Sequence, residues 1–346
     1  MSIHNYYVSG NTAVGLVNYL QTNIEQLETI IYLKHPSETY KTNIFKKLID
    51  IYNSTDKLEA LKSPLGRNYL DGIIIREKSV AIVTDRIALN ETKGIELDLE
   101  QITGKHQPTA EKRELQDKVN HFTEKAYENF ATGLKIHDDL ETIYINEMNF
   151  ERADKLAETF IQGLLSSATT LNRDAQVYHR LFGTNTPNGV VNEVPHLIEN
   201  LSNVYYIKGR AGTGKSTFMK KIAKACEERG YDVELYHCSF DPKSLDMVLV
   251  LELGFCIFDS TDPHEFFPAR DGEKVVDLYV EAVTPGTDER FATKIDTVNR
   301  NYKSYMKKGI QDLVEAGKAF EELEQHYIIT DRVIEKAVES IQDIIK

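Results

Sequence analysis

Hydrophobic residues recur along the chain in two patterns, and segments of the two kinds alternate. One kind is a short apolar run of strand length, as at Ile73–Ile75, Val80–Val83, Val248–Leu251 and Phe255–Phe258. In the other kind the apolar residues recur every three to four positions. Short apolar runs predict buried strands, and the longer period predicts amphipathic helices. Strands that alternate with helices indicate an α/β fold built on parallel sheets.

Two long segments have the helical period. In the segment from Glu111 to Tyr144 the apolar positions are Leu115, Val119, Phe122, Ala126, Phe130 and Leu134. In the later segment they are Phe291, Ile295, Val298, Tyr302 and Tyr305. A shorter helix is predicted after each, at about Phe150–Ser166 and Asp331–Ile345. We expect each pair to form a helical hairpin whose apolar stripe packs between the copies or onto the sheets, with partner binding or self-association as the alternative.

The pattern occurs twice because the sequence contains an internal repeat. Residues 9–47 align with residues 183–221 without gaps, and 14 of these 39 positions are identical, where average composition predicts roughly 2 or 3. The later segments Asp139–Ile145 and Glu322–Ile328 also correspond. The sequence therefore predicts two tandem copies, here called the first half and the second half.

Each half is expected to contain a sheet-forming unit and then a helical segment. The first half is placed at residues 1–172, with the unit at about 1–105 and the helical segment at about 106–172. The second half is placed at residues 173–346, with the corresponding parts at about 173–285 and 286–346. A polar stretch near the start of each half, Gly10–Thr12 or Gly183–Pro187, is expected to form a turn before the first helix.

A glycine-rich loop follows the first predicted strand of the second half. The order is an apolar strand at Val204–Lys208, the motif G-x-x-x-x-G-K-S at Gly209–Ser216, and a helix from Thr217 to about Arg229. This order is the context that a phosphate-binding loop requires. The loop glycines permit backbone angles and close approaches that a β-carbon blocks. Its N–H groups can then converge on phosphate oxygens at the positive end of the helix.

This loop predicts a nucleotide site with Mg²⁺. Lys215 would reach the β- and γ-phosphates, and the Ser216 hydroxyl would ligate the metal ion. The residues expected to bind ATP or another nucleoside triphosphate are Gly209, Arg210, Ala211, Gly212, Thr213, Gly214, Lys215, Ser216 and Thr217. The predicted fold is accordingly two tandem P-loop-type units with parallel sheets, each followed by a helical hairpin.

A carboxylate is expected beside this loop to organise the metal ion. Phe255–Asp259 has four apolar residues and then an aspartate, as at the end of a buried strand, where P-loop enzymes keep such a group. The matching position in the first half is Thr84. Asp85 lies one step further, but a shift of one residue points its side chain to the other face. We therefore expect Asp259 to act with Ser216 at the metal ion.

The segment after Asp259 offers candidates for catalysis. It should lie at the carboxyl ends of the strands, where open α/β sheets bind ligands. Asp262, His264 or Glu265 could orient water or an acceptor hydroxyl, and we take His264 as the catalytic candidate beside Lys215 and Asp259. The alternative is an Asp-Pro turn with His264 in an ordinary structural position.

The corresponding loop of the first half, His35–Thr42, keeps the lysine and the hydroxyl but has lost every glycine. Tyr40 stands at the position of the last loop glycine, where its β-carbon and ring would obstruct a phosphate. Glu38 would bring a negative charge toward a polyanion. We predict that the first half is a degenerate structural copy. The alternative is that Lys41 or His35 reaches into the site of the second half.

Composition limits the remaining classes. The chain has 346 residues and a formal net charge of −13, which opposes non-specific nucleic-acid binding. Cys226, Cys238 and Cys256 lack metal-ligand spacing and indicate a reducing compartment. No apolar run approaches the length of a membrane span, and Met1–Asn5 lacks a signal pattern. We expect a cytoplasmic protein that contacts neither membrane nor nucleic acid.

Three sequence segments are more specific than the phosphate-binding loop motif alone: Gly183–Pro187, Ile207–Ser216 and Phe258–Glu265. With the paired copies, they resemble an uncharacterised family of bacterial tandem-duplicated P-loop ATPases over essentially the full chain. The resemblance implies ATP binding through Gly209–Thr217 and hydrolysis, without indicating another substrate. Members of that family often carry an intact first loop, and this chain departs from them there.

The leading interpretation is a Mg²⁺-dependent ATPase with one working site, in the second half. A P-loop kinase for a small molecule is the first alternative, because transfer and hydrolysis use the same phosphate cradle. A nucleotide-gated scaffold that does not hydrolyse is the second.

Overall fold

The computed structural model describes residues 3–53, 57–88 and 94–345 and shows an α/β fold. Met1 and Ser2, on which the expectation of no signal pattern partly rests, lie outside the described residues. Two six-stranded sheets have equivalent strand orders. A third, four-stranded sheet takes two strands from each half. Buried aliphatic and aromatic side chains on both faces of the six-stranded sheets form the core.

In the first half the strands are β1 (His4–Tyr7), β2 (Ser9–Thr12), β3 (Gly15–Asn18), β4 (Thr29–Lys34), β5 (Leu58–Lys62), β6 (Leu70–Ile75), β7 (Val80–Thr84) and β8 (Ile95–Asp98). The helices are α1 (Leu20–Ile24), α2 (Glu38–Tyr52), α3 (Glu100–Thr103), α4 (Ala110–Ile145) and α5 (Phe150–Leu164). The sheet order is β1-β5-β6-β7-β4-β8.

In the second half the strands are β9 (Val177–Arg180), β10 (Gly183–Thr186), β11 (Gly189–Asn192), β12 (Asn203–Lys208), β13 (Val233–His237), β14 (Leu245–Val250), β15 (Phe255–Asp259) and β16 (Glu273–Asp277). The helices are α6 (Val194–Ile198), α7 (Lys215–Glu227), α8 (Leu278–Ala282), α9 (Thr287–Arg290), α10 (Ala292–Glu324) and α11 (Asp331–Ile345). The sheet order is β16-β12-β15-β14-β13-β9.

The prediction of parallel sheets is confirmed only in part, because one strand of each six-stranded sheet runs antiparallel to its neighbours. β14 is antiparallel to both β13 and β15, whereas β12 is parallel to β15 and β16. Only residues 251–254 join β14 to β15, and a parallel pair needs a crossover of a dozen residues or more. The equally short connection 76–79 reverses β6 against β7 in the first half.

The polar stretches predicted as turns instead form strands that join the two halves. β2 pairs with β10 where Asn11 lies opposite Asn185. The Asn11 side-chain amide donates to the Asn185 carbonyl at 2.9 Å, and the Asn185 amide donates to the Asn11 carbonyl at 2.9 Å. The contact is reciprocal, so the two halves meet in a near-twofold arrangement in the sheet order β11-β10-β2-β3.

The long helices α4 and α10 pack side by side and antiparallel. Asn129 near the middle of α4 donates to Asp312 of α10 at 2.8 Å, while Glu111 at the start of α4 lies near His326, just after α10. The shorter helices that follow them pack on the opposite halves. In α5, Phe160 contacts Phe218 of α7, and in α11 the Val333 carbonyl accepts a hydrogen bond from Tyr40 of α2. Each helical hairpin therefore reaches the other half.

Candidate functional site

The glycine loop of the second half has the backbone geometry that its sequence predicts. Gly212 and Gly214 have φ angles of +76° and +81°, a region that L side chains rarely adopt. A β-carbon at Gly209 would lie 2.5 Å from the Thr213 hydroxyl oxygen. That hydroxyl donates to the Arg210 carbonyl at 2.8 Å and accepts from the Arg210 N–H at 3.2 Å, which closes the loop.

Lys215 and Asp259 meet at the end of this loop. β12 and β15 are parallel neighbours, so the loop after β12 and the end of β15 lie at the same sheet edge. The Lys215 ammonium is 3.5 Å from the Asp259 carboxylate and donates to the Arg210 carbonyl at 2.8 Å. Thr261 donates to the other Asp259 oxygen at 2.6 Å. Ser216, at the next position of α7, accepts the Leu245 N–H at 2.9 Å.

Asp246 is a further carboxylate of this site that sequence reasoning left without a role. It is buried at the start of β14, and burial followed by the charge of Asp259 raises its pKa well above the ordinary value. Its counterpart in the first half, Asp71, forms an ion pair with Arg86. Thr261 stands at the position of Arg86, so the second half lacks that guanidinium beside its carboxylate. The sequence signal was this loss of a cation.

The hydroxyl and carboxylate oxygens at this site fit a Mg²⁺ ion that would be bound jointly by the protein and by nucleotide phosphates. Among the described residues, no three His, Cys, Asp or Glu side chains are placed to hold a metal ion together. Mg²⁺ usually keeps several waters and binds one or two carboxylates plus substrate phosphates, so a full protein cage is unnecessary. The Ser216 hydroxyl and the Asp259 carboxylate are the hard ligands that this mode needs.

The segment after Asp259 is fixed by two lysines. Lys208 donates to the Ser260 carbonyl at 2.6 Å and lies 3.2 Å from the Glu265 carboxylate. The Asp262 carboxylate lies 2.6 Å from the Lys303 ammonium. His264 is buried against Phe182, and burial lowers its pKa to about 4. At neutral pH it is therefore an uncharged ring, near enough to Asp259 for that charge to act on it.

The end of α4 in the first half lies directly on the loop of the second half. A β-carbon at Gly212 would be 2.5 Å from the Glu141 carbonyl oxygen, and Ala211 packs against a cluster that includes Leu140 and Tyr144. Tyr144 donates to Asp288 at 2.8 Å, and the same carboxylate is 2.9 Å from the Arg210 guanidinium. The loop is therefore enclosed by groups from both halves.

The structure contradicts the alternative that Lys41 or His35 reaches into the site of the second half. The Lys41 ammonium is buried inside the first half, against Glu38 at 2.8 Å and against Asp85 at 2.5 Å. His35 accepts the Ser37 N–H at 3.0 Å, and its ring packs against Tyr327, which follows α10. The available signal was the repeated segment around Glu141 and Glu324. The repeat alone, however, does not predict that each copy of the segment packs on the opposite half.

The first half has no open loop at the corresponding place. Ser37 caps α2, and residues 38–40, which align with 212–214, form its first turn. The Glu324 carboxylate accepts hydrogen bonds from the Ser37 hydroxyl at 2.7 Å, the Glu38 N–H at 3.0 Å and the Thr39 N–H at 3.0 Å. An anion from α10 thus already occupies this helix N-terminus.

Two predictions about the first half are wrong: one concerns the obstruction by Tyr40, and the other concerns the direction of the Asp85 side chain. The Tyr40 ring is packed in the core and its hydroxyl binds the Val333 carbonyl at 2.9 Å, so the ring does not fill the loop. Asp85 does reach Lys41, because the chain leaves the strand after Thr84 and forms a 3₁₀ turn that rotates this side chain back toward the lysine.

No protein-family model, curated protein or solved structure matches the chain. The resemblance drawn from the sequence therefore stays a prediction, and the site is interpreted from its geometry. Within the part of the chain that the structure describes, no helix is both long enough and apolar enough to cross a bilayer.

Proposed function

We propose that this chain is a Mg²⁺-dependent ATPase built from two tandem P-loop-type units, with its working site in the second half. The observation that carries the proposal is the Lys215 ammonium 3.5 Å from Asp259, at the end of a loop whose glycines have positive φ angles. This pair provides a cation for the β- and γ-phosphates and a carboxylate for the metal ion at one sheet edge.

The division of labour at the site follows from these positions. The loop N–H groups and the N-terminus of α7 bind the phosphates, and Lys215 exchanges its Arg210 and Asp259 partners for phosphate oxygens. Ser216 and Asp259 would hold Mg²⁺, which supplies positive charge to the transferring phosphoryl group. The Arg210–Asp288 pair at 2.9 Å fixes the outer side of the loop.

The first half acts in this proposal as a structural copy. Its helix N-terminus is occupied by Glu324, and its lysine is neutralised by Glu38 and Asp85. A nucleotide phosphate would have to displace three internal carboxylates there. We also place the protein in the cytoplasm, because the free thiols of Cys226, Cys238 and Cys256 suit a reducing compartment.

Steady-state phosphate release from Mg·ATP tests this function. We expect Lys215→Ala to lower turnover by about 100-fold or more, the typical effect of removing one preorganised transition-state donor. Lys224→Ala, on the exposed side of the same helix, should keep the wild-type rate. Equal rates for wild type and Lys215→Ala would refute the assignment. A parallel panel of the common nucleotides identifies the preferred base.

A further inference from the structure

The two halves place one glutamate each at the loop of the other half. Glu141 and Glu324 occupy matching positions in the repeated segments Asp139–Ile145 and Glu322–Ile328. The Glu324 carboxylate accepts hydrogen bonds from the backbone N–H groups at the start of α2 and so occupies the place that a phosphate would need. Glu141 lies on the open loop, with its carbonyl oxygen against Gly212. The internal repeat therefore marks both positions as facing a phosphate-binding loop.

The two carboxylates differ in their surroundings. Glu324 is buried, whereas the Glu141 side chain is 42% exposed. In the second half, Gly212 and Gly214 keep positive φ angles, and the loop is not part of a helix. The Glu141 carboxylate is 3.7 Å from the His137 ring nitrogen, one turn earlier on α4. The His137 ring packs between Phe240 and Tyr302, which fixes this face of the helix.

Burial is the main influence on the pKa of both Glu141 and His137, and the nearby charge of Lys215 acts to lower both pKa values. Since Lys215 is the group expected at the β- and γ-phosphates, this face of α4 lies toward the reacting end of a bound nucleotide. Asp259 is committed to Lys215 and Thr261, and His264 is buried. Glu141 is thus a partly exposed carboxylate on a residue whose backbone packs against the glycine loop.

We propose that Glu141, supplied by the first half, is the catalytic carboxylate that orients and deprotonates the water attacking the γ-phosphate at the loop of the second half. The inference rests on the proposed function. The water oxygen forms a bond to the γ-phosphorus, and the bond from that phosphorus to the β–γ bridging oxygen breaks. One water proton passes to Glu141 and then to solvent, which leaves ADP and inorganic phosphate. His137 acts as a positioning residue for Glu141.

The test compares Glu141→Gln with Glu128→Gln, a change at an exposed position of the same helix. We expect Glu141→Gln to lower kcat by about 100-fold or more, the lower range for general-base catalysis. The Kd for a non-hydrolysable ATP analogue should change by less than about threefold, which corresponds to about 0.7 kcal/mol. Glu128→Gln should keep both wild-type values. Glu141→Asp should recover part of the rate, because it restores a carboxylate one methylene shorter.

The pH profile of kcat supplies a readout that a structural role would not move. The groups facing Glu141 are His137 and Asp138 of α4, Asp241 after β13 and Lys215 of α7. Burial, then Asp138 and Asp241, raises the pKa of Glu141 despite Lys215. Turnover should therefore fall as the pH drops through this raised pKa, and the Glu141→Gln variant should lose that acid limb.

Each outcome decides between the proposals. Unchanged kcat in Glu141→Gln, in a protein whose turnover depends on Lys215, overturns the role of Glu141 and leaves the ATPase proposal standing. A parallel loss of analogue binding and turnover shows a structural role and also overturns it. If Glu141→Gln does not fold, an unchanged kcat in Glu141→Ala, which also removes the carboxylate, overturns it equally. Absence of turnover in the wild-type protein overturns both proposals. If turnover is lost in Lys215→Ala but kept in Glu141→Gln, only the further inference is overturned.

Discussion

Gly212 serves two needs at the residue scale, whereas Gly214 serves one. Both have positive φ angles, which a residue with a β-carbon adopts only with strain. A β-carbon at Gly212 would also lie 2.5 Å from the Glu141 carbonyl, but at Gly214 the nearest atom, in Met148, would be 3.7 Å away. Gly212 therefore controls the approach of α4 as well as the shape of the loop.

We expect Gly212→Ala to destabilise the protein more than Gly214→Ala. The backbone strain at Gly214 should cost about 1–3 kcal/mol. At Gly212 the same strain is joined by displacement of α4, so the free energy of unfolding should fall by at least about 1 kcal/mol more, a typical effect of overpacking. Urea unfolding of the two variants measures the difference. Equal losses would contradict the close contact of α4 with the loop.

The sequence could predict the loop residues because their relationship is local. A strand, three glycines, Lys215 and Ser216 lie within one short segment, and Asp259 follows from the end of one buried strand. Glu141 could not be predicted in the same way. Its place depends on how two long helices cross, which no local pattern encodes. Asp246 could be recognised only by comparing the two halves, because its counterpart Asp71 has Arg86 as a partner and Asp246 has Thr261 at that position.

At the scale of elements, α2 and α7 show how one sequence change alters a helix terminus. α7 begins at Lys215, whereas α2 begins at Glu38, which aligns with Gly212. Without glycines the chain closes into an extra helical turn, and its N–H groups need another acceptor. Glu324 is that acceptor, so α10 is attached to α2 by a charge-assisted contact.

Replacement of Glu324 should weaken this attachment. We expect Glu324→Ala to lower the free energy of unfolding by about 2–3 kcal/mol, because hydrogen bonds to a charged group contribute about 1.5–3 kcal/mol and buried donors lose their partner. Glu322→Ala, at an exposed position two residues earlier in the same helix, is the control and should change little. Urea denaturation measures both. A Glu324→Ala protein as stable as its control would contradict the contact.

The sequence predicts which segments form strands better than it predicts their pairing. The apolar runs of β6, β7, β14 and β15 are visible locally, but strand direction depends on connection length. The polar residues of β2 and β10 lack a strand pattern. They extend because each half supplies the other with hydrogen-bond partners, as between Asn11 and Asn185.

At the scale of the whole molecule, a buried guanidinium joins the two six-stranded sheets. Arg180 in β9 lies 2.7 Å from Glu234 of the same sheet and 3.5 Å from Glu59 of the other sheet. Its Nε atom donates to the Asn23 side chain at 2.9 Å. Burial alone would raise the pKa of Glu234 and of Glu59, but Arg180 and other nearby groups hold both below the ordinary value.

This network predicts loss of stability in acid. Because the folded-state pKa values of Glu59 and Glu234 are depressed, their contribution is present above the unfolded pKa of about 4.3 and is lost as the pH falls below it. The free energy of unfolding, measured in urea from pH 7 to pH 3, should fall most steeply below about pH 4.3. Glu59→Gln should show a smaller fall over that window. An identical pH slope would contradict the network.

Because each helical hairpin packs on the opposite half, the single polypeptide is organised like a domain-swapped dimer whose two subunits are fused. Neither half carries the full surroundings of its own loop, because α4 and α5 come from the first half and α10 and α11 come from the second. A mutation at the loop of the first half can therefore alter the loop of the second half, through helices about 50 Å long. The first half, which has no glycine loop of its own, therefore supplies the helix end that packs against Gly212 of the second half.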